Sequence, residues 1–355
     1  MRSDFLLLVL LFLVVCGIGV LAQGRPESGG ASALAAAASH LRLKPAEWRS
    51  LNERQIVTRS LTGGHSKEVA GIGVMVADAS PEEFIKAFKS LSVFKNSEST
   101  IACGRFSAKP VIDDLIPLEI GEKDLRALMR ARVGESEIKL SEADISRIRA
   151  AAGPSPYFSS KLKGKLAAEY KQILLDKAKA YAESGTAALD AYADQQEPVS
   201  ARDASVEMVK FQAASGRAAG LYTLLGLPTR DATQNTESFL YWALQKFGQL
   251  KPVLSVVHVV IYREDSRIFI ASRQVYSNHY TEAGLCVAEF IPFRDEKGAT
   301  RTLTTYTIRL QVDMLGGSMS FMKRRAAQPR LLEALMIALE GLRHCAESQL
   351  VERRF

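Results

Sequence analysis

The stretch from Lys251 to Leu350 limits the possible folds of this chain more than any other. Four segments rich in Val, Ile, Tyr, Phe and Thr follow one another: 253-VLSVVHVVIYR, 267-RIFIASRQVYSNHY, 285-LCVAEFIPF and 301-RTLTTYTIRLQVD. Such side chains fit a pleated, half-buried surface. Polar breaks at Glu264-Asp265-Ser266, Glu282-Ala283-Gly284 and Arg294 to Thr300 part the segments, which predicts an antiparallel meander. A helix is expected from about Pro329, since proline suits a first helical turn whose N–H has no partner in any case. Leu332, Leu335, Met336, Leu339 and Leu342 recur at helical spacing as one apolar stripe. The expected architecture is α+β, a curved antiparallel sheet closed by a long C-terminal helix, which is one way to enclose an apolar cavity.

A chain of 355 residues can bury a substantial core as one large domain or two. The net charge of +7 is interspersed rather than gathered in a tail, which describes a mildly cationic solvated surface. An anionic membrane surface is the sharper partner that this charge suits. No basic-aromatic motif of a nucleic-acid module is present, so no nucleic acid is expected. Past Cys16 the cysteines are Cys103, Cys286 and Cys345, in a spacing that matches no zinc pattern. They read as small buried apolar residues, with room for one disulfide.

Residues 1–22 look like an export signal: Arg2, then the apolar run Phe5–Ala22, with Ala22 at the expected cleavage point. The run is also close to the shortest helix that spans a bilayer, so an uncleaved N-terminal anchor is the alternative. Val15 before Cys16 argues against lipidation. The body is expected to be exported, periplasmic or extracellular. Residues 23–50, rich in Gly, Ser and Ala, read as a disordered tether.

Within the body, 54-RQIVTRSL and 68-EVAGIGVMVA read as strands about a Thr62-Gly63-Gly64-His65 turn. A helix opens at 80-SPEEFIKAFKSL, with Ser80 as N-cap, Pro81 at N1 and acidic residues in the first turn. A third strand-like piece is 99-STIACGRFS. Residues 109–248 read as a mostly helical insertion or subdomain. Its helices are expected at Glu122–Arg132, after Ser141 up to Gly153, around Leu162–Tyr181, at Asp203–Ser215, at Arg217–Leu225 and at Thr236–Phe247. The last carries Phe239, Ala243 and Phe247 on one helical face.

The two ends of the chain together resemble START-type domains of the helix-grip superfamily. The resemblance rests on a strand followed by 79-ASPEEF opening a helix. It rests equally on a last strand that runs into Asp313 and a turn with Gly316 and Gly317 before the closing helix. It covers residues 69–106 and 251–350, so that residues 51–108 and 249–350 would form one α+β domain. It implies a hydrophobic cavity between sheet and helix and a lipid or other apolar ligand; no cofactor is expected.

Residues expected to line such a site are His258, Tyr262, Tyr276, His279 and Tyr280 on the strands, and Leu335, Met336 and Leu339 on the helix. The stretch 276-YSNHY is the most polar part of the sheet. His279 beside Tyr276 or Tyr280 suits a ligand hydroxyl or acid–base work, and equally a half-exposed strand end. His258 lies mid-strand among valines, where a histidine is more often a hydrogen-bonded core residue than a catalyst. No nucleophile elbow, P-loop, Rossmann or zinc-protease motif is present, and no catalytic or metal-ligating set is assigned. The function expected is binding of a hydrophobic small molecule or lipid. An exported interaction protein that docks a partner through the helical middle is the alternative, and a secreted hydrolase a more distant one.

Overall fold

A computed structural model of the chain describes residues 31–91, 99–154, 157–214, 218–229, 235–246, 250–317 and 319–352. The expected leader, residues 1–22, lies outside them. The described helices are α1 (Ala31–Ala38), α2 (Pro45–Asn52), α3 (Pro81–Lys89), α4 (Glu122–Arg130), α5 (Glu142–Ala152), α6 (Ser160–Ser184), α7 (Ala201–Ala213), α8 (Ala219–Gly226) and α9 (Ser320–Glu352). The strands are β1 (Val57–Leu61), β2 (Glu68–Ala77), β3 (Thr100–Arg105), the short pair β4 (Ala191–Tyr192) and β5 (Val199–Ser200), β6 (Thr236–Gln245), β7 (Val253–Glu264), β8 (Arg267–Ser277), β9 (Thr281–Arg294) and β10 (Thr300–Val312).

Eight strands form one antiparallel sheet in the order β1-β2-β10-β9-β8-β7-β6-β3. The C-terminal meander is present as expected. Its last strand, β10, pairs with β2 from Thr302 opposite Ala77 to Gln311 opposite Glu68, so the two ends of the chain meet in one sheet.

Helices cover both faces. On the first, α3 and α9 pack over Met75, Tyr306, Ile270, Val257 and Tyr241. On the second, α1 covers the end with Val74 and Leu303. There α7 and α8 cover the centre at Val260, Phe269 and Val287, and α6 with its neighbours covers Leu240, Trp242 and Val256. Double coverage explains why β7 is buried along all of Val253–Ile261 rather than alternating in and out.

Where α9 crosses β2 the backbone must come close, and glycines permit it. A Cβ on Gly73 would stand 2.3 Å from Leu339 Cδ1 and 3.1 Å from Leu335 Cγ, and one on Gly71 would stand 3.0 Å from Leu332 Cδ2.

Several expectations change. Thr236–Gln245 is strand β6, not a helix, and Phe247 lies outside the described residues. Phe239 and Ala243 are four apart, a spacing that keeps one face in a helix and in a strand alike, so their pattern could not choose between the two. The helical middle therefore ends at α8, and β6 belongs to the sheet. The C-terminal helix begins at Ser320, with Pro329 inside it and solvent-exposed. The expected tether, 23–50, is helical at 31–38 and enters a second helix, 45–52, and Leu34, Ala38 and, just past it, Leu51 are buried against Val57, Val76 and Ile291.

Replacing Gly73 with Ala forces Leu339 out of a filled site, an overpacking that costs about 1–3 kcal/mol. Gly164, exposed on α6 with nothing within 4 Å of an added Cβ, is the control: Gly164→Ala stabilises by about 0.5–1 kcal/mol. Urea midpoints of the two variants are expected to move in opposite directions.

Candidate functional site

The polar residues of the sheet gather on its second face and at the β8–β9 turn, against the helical middle. Two clusters result, and they are separate.

The first surrounds the turn. The Asn278 side chain accepts from Leu254 N at 2.8 Å and donates to Asp124 Oδ2 at 3.3 Å. His279 is buried, not half-exposed. Its Nδ1 donates to the Glu137 carbonyl at 2.9 Å and its Nε2 faces Asp124 Oδ1 at 3.2 Å. Both ring nitrogens thus have an oxygen of the helical middle within hydrogen-bond distance. Tyr280 follows with φ 62°, a left-handed conformation uncommon for a residue with a side chain, and its hydroxyl accepts from Lys251 N at 3.1 Å.

Next to this turn Lys139, 2% exposed, bridges Asp194 at 3.1 Å and Asp313 at 2.8 Å. Burial, with the neighbouring Glu282 and Asp194 carboxylates, pushes Asp313 up to about 6 although Lys139 pulls it the other way. Tyr276 donates to the Lys139 carbonyl at 2.8 Å and accepts from Tyr170 at 2.9 Å. It reaches the second face because β8 carries one extra residue there, with Tyr276 opposite Val256 and Gln274 opposite Val257.

The second cluster lies mid-sheet. His258 and Arg273 stand directly opposite each other on β7 and β8. His258 Nδ1 pairs with the Tyr181 hydroxyl of α6 at 3.1 Å. Arg273, 1% exposed, donates from Nε to Ser205 at 2.6 Å and from Nη1 to Thr186 at 2.6 Å and the Leu225 carbonyl at 2.8 Å. These partners are all uncharged. Arg273 Nη2 and His258 Nε2 are buried without a hydrogen-bond partner. Burial, followed by the Arg273 charge, pushes the His258 imidazole down to about 3, so His258 is neutral here.

The expected site residues are therefore not brought together as one set, although Tyr280 lies beside His279 and packs against the same apolar core as Leu335 and Leu339. His258 and His279 belong to different clusters. Tyr262 sits beyond His258 on the same strand face, its ring 6.3 Å from that of Phe269. Leu335 and Leu339 lie on the opposite face of the sheet and are fully buried, and Met336 on the same helix is 39% exposed. No single cavity can be lined by all of them, because the sheet stands between. Under α9 the space is filled at Leu335 and Leu339 by their contact with β2.

Sequence reasoning missed Asp124, Lys139, Asp194 and Tyr181. Lys139 left a trace as a single cation between Ile138 and Leu140, and Tyr181 could be read only as part of a helical apolar face. Among the described residues no group of His, Cys, Asp and Glu could hold a metal ion, and no helix is long and apolar enough to cross a membrane. No protein-family model matches the chain, and no curated protein matches it.

The His258 shift has a sign that can be measured. Its folded value lies below the 6.5 of a free imidazole, so the unfolded chain takes up a proton first as pH falls. The contribution is fully present above pH 6.5 and is lost towards pH 3, about 3 kcal/mol of it by pH 4. His258→Leu is expected to abolish that part, so urea midpoints of variant and wild type converge on acidification.

Proposed function

We propose that the chain is an exported binding protein for a hydrophobic small molecule of the lipid class, held between the first sheet face and α9 in a core of helix-grip type. The pairing of β2 with β10 supports this reading, since it joins the two stretches that carry the resemblance. The sequence after β10 supports it too: Asp313, Gly316 and Gly317 precede α9.

One observation carries the ligand reading. The first face is apolar apart from a few side chains, and two of these, Ser255 Oγ and Gln245 Oε1, are buried with no hydrogen-bond partner. They are diagonal neighbours in the register, since Ser255 lies opposite Ala243 and Gln245 opposite Val253. A buried polar group left unpaired costs about 1–3 kcal/mol. A ligand with an apolar body and one hydroxyl end would donate to Gln245 Oε1 and pair with Ser255. β7 lies four strand spacings from β2, about 19 Å, whereas a helix is about 10–12 Å across. The Ser255 end of the face is thus remote from the seam where α9 touches β2. Ser255 and Gln245 are fully buried, so uptake requires the layer over β6 and β7 to open.

A second reading, docking of a protein partner through the helical middle, draws on Val111, Ile112 and Ile116, 45%, 44% and 69% exposed at its entrance. Over 162–222 the one exposed large apolar side chain among the described residues is Phe211.

Native mass spectrometry of the chain purified from its own envelope is expected to show a stoichiometric apolar adduct carrying a hydroxyl. Ser255→Ala should lower uptake at least tenfold while leaving stability unchanged or raised by about 1 kcal/mol, because it removes an unpaired buried group. A clean apo mass, with no uptake from a mixed lipid pool, would sink the ligand reading and favour the partner-docking one.

A further inference from the structure

The first two turns of α9 stand clear of the sheet. None of the described residues 319–326 is buried, and the first buried residue of the helix is Ala327. This overhang is not polar. Met319, Phe321 and Met322 are 57%, 67% and 65% exposed, and Met314 just before them is 42% exposed. Met319 and Met322 are three apart and share a face of the helix, with Lys323 beside them. Lys323, Arg324 and Arg325 follow at once, then Arg330, and no Asp or Glu occurs from Met314 to Leu332. Lys323 Nζ meets only an uncharged partner in the hydrogen bonds described, the Gly316 carbonyl at 2.8 Å, and keeps its charge available.

We propose that this overhang is a docking surface for an anionic lipid bilayer, with Phe321, Met319 and Met322 entering the interface and Lys323 and Arg325 facing the headgroups. The charge complementarity selects the occupant: a cationic run free of acidic residues, on a chain of net charge +7, next to long apolar side chains. Met and Phe suit the acyl boundary because they adapt to a surface with no fixed shape, and a basic flank adds attraction to anionic headgroups. This surface is separate from the internal ligand site, so attachment here is independent of whether that ligand is bound.

Phe321→Trp in the full chain reports insertion at the overhang itself, so attachment through the apolar run 5–22 does not produce the signal. The probes are vesicles of brominated phosphatidylglycerol and of brominated phosphatidylcholine, read as the excess over the emission of Trp48 and Trp242. The expected result is a blue shift and quenching with phosphatidylglycerol vesicles and little change with phosphatidylcholine. Adding K323E and R325E to that variant should weaken the response about 25-fold, about fivefold for each basic residue. No shift with either vesicle overturns the proposal, and so does an equal response to both. A blue shift that grows with protein concentration without vesicles overturns it in favour of a second copy of the chain.

Discussion

A sheet covered on both faces leaves its polar side chains no access to water. That constraint governs much of this molecule. Arg273, His258, Gln274, Glu289, Arg309 and Gln311 all sit on strands and are all buried. Each must find partners in the covering layers or remain unpaired at a cost of about 1–3 kcal/mol, more for a charge. Arg309 finds Glu68 at 2.7 Å and Gln212 of α7 at 2.7 Å. Arg273 finds only hydroxyls and a carbonyl from α7, α8 and the residues after α6. The helical middle is therefore not a passenger on the sheet. It supplies the groups that make the sheet's second face tolerable.

The same logic explains the β8–β9 turn. Asn278, His279 and Tyr280 form the sharpest polar interruption of the meander, and each has a partner in the backbone or in the helical middle. Asp124 of α4 holds both Asn278 and His279, and Lys139 ties Asp194 to Asp313 at the end of β10. A charged pair buried this way adds little net stability compared with apolar packing, but removing one partner leaves a stranded charge. In geometric terms the turn is a clasp between the meander and the segment that precedes α5.

The first face obeys a different rule. There the contact is apolar and close, and the limiting quantity is volume rather than hydrogen bonding. Gly71 and Gly73 let α9 approach β2 so nearly that Leu332, Leu335 and Leu339 occupy the room a side chain would take. The result is tight packing at one edge of the sheet. Two buried polar atoms lie unpaired several strands away, at Ser255 and Gln245.

Much of the fold was legible in the sequence because it depends on local signals. Period and turn chemistry marked β2, β7, β8, β9 and β10, and caps marked α3 and α5. Where two periods coincide the local signal fails: Phe239 and Ala243 fit helix and strand alike, and only the pairing of β6 with β3 and β7 decides. Of the site, the sequence could single out His258, Tyr276 and His279 as polar residues in an apolar sheet. It could not show that Leu335 and Leu339 lie across the sheet from them. It could not show that Asp124, Tyr181 and Lys139 are their partners or neighbours either. Those pairings span 155 residues between Asp124 and His279 and 77 between Tyr181 and His258. Periodicity tells which residues share a face of one element. Which element covers that face is decided by packing over the whole chain, and tertiary structure alone supplies it.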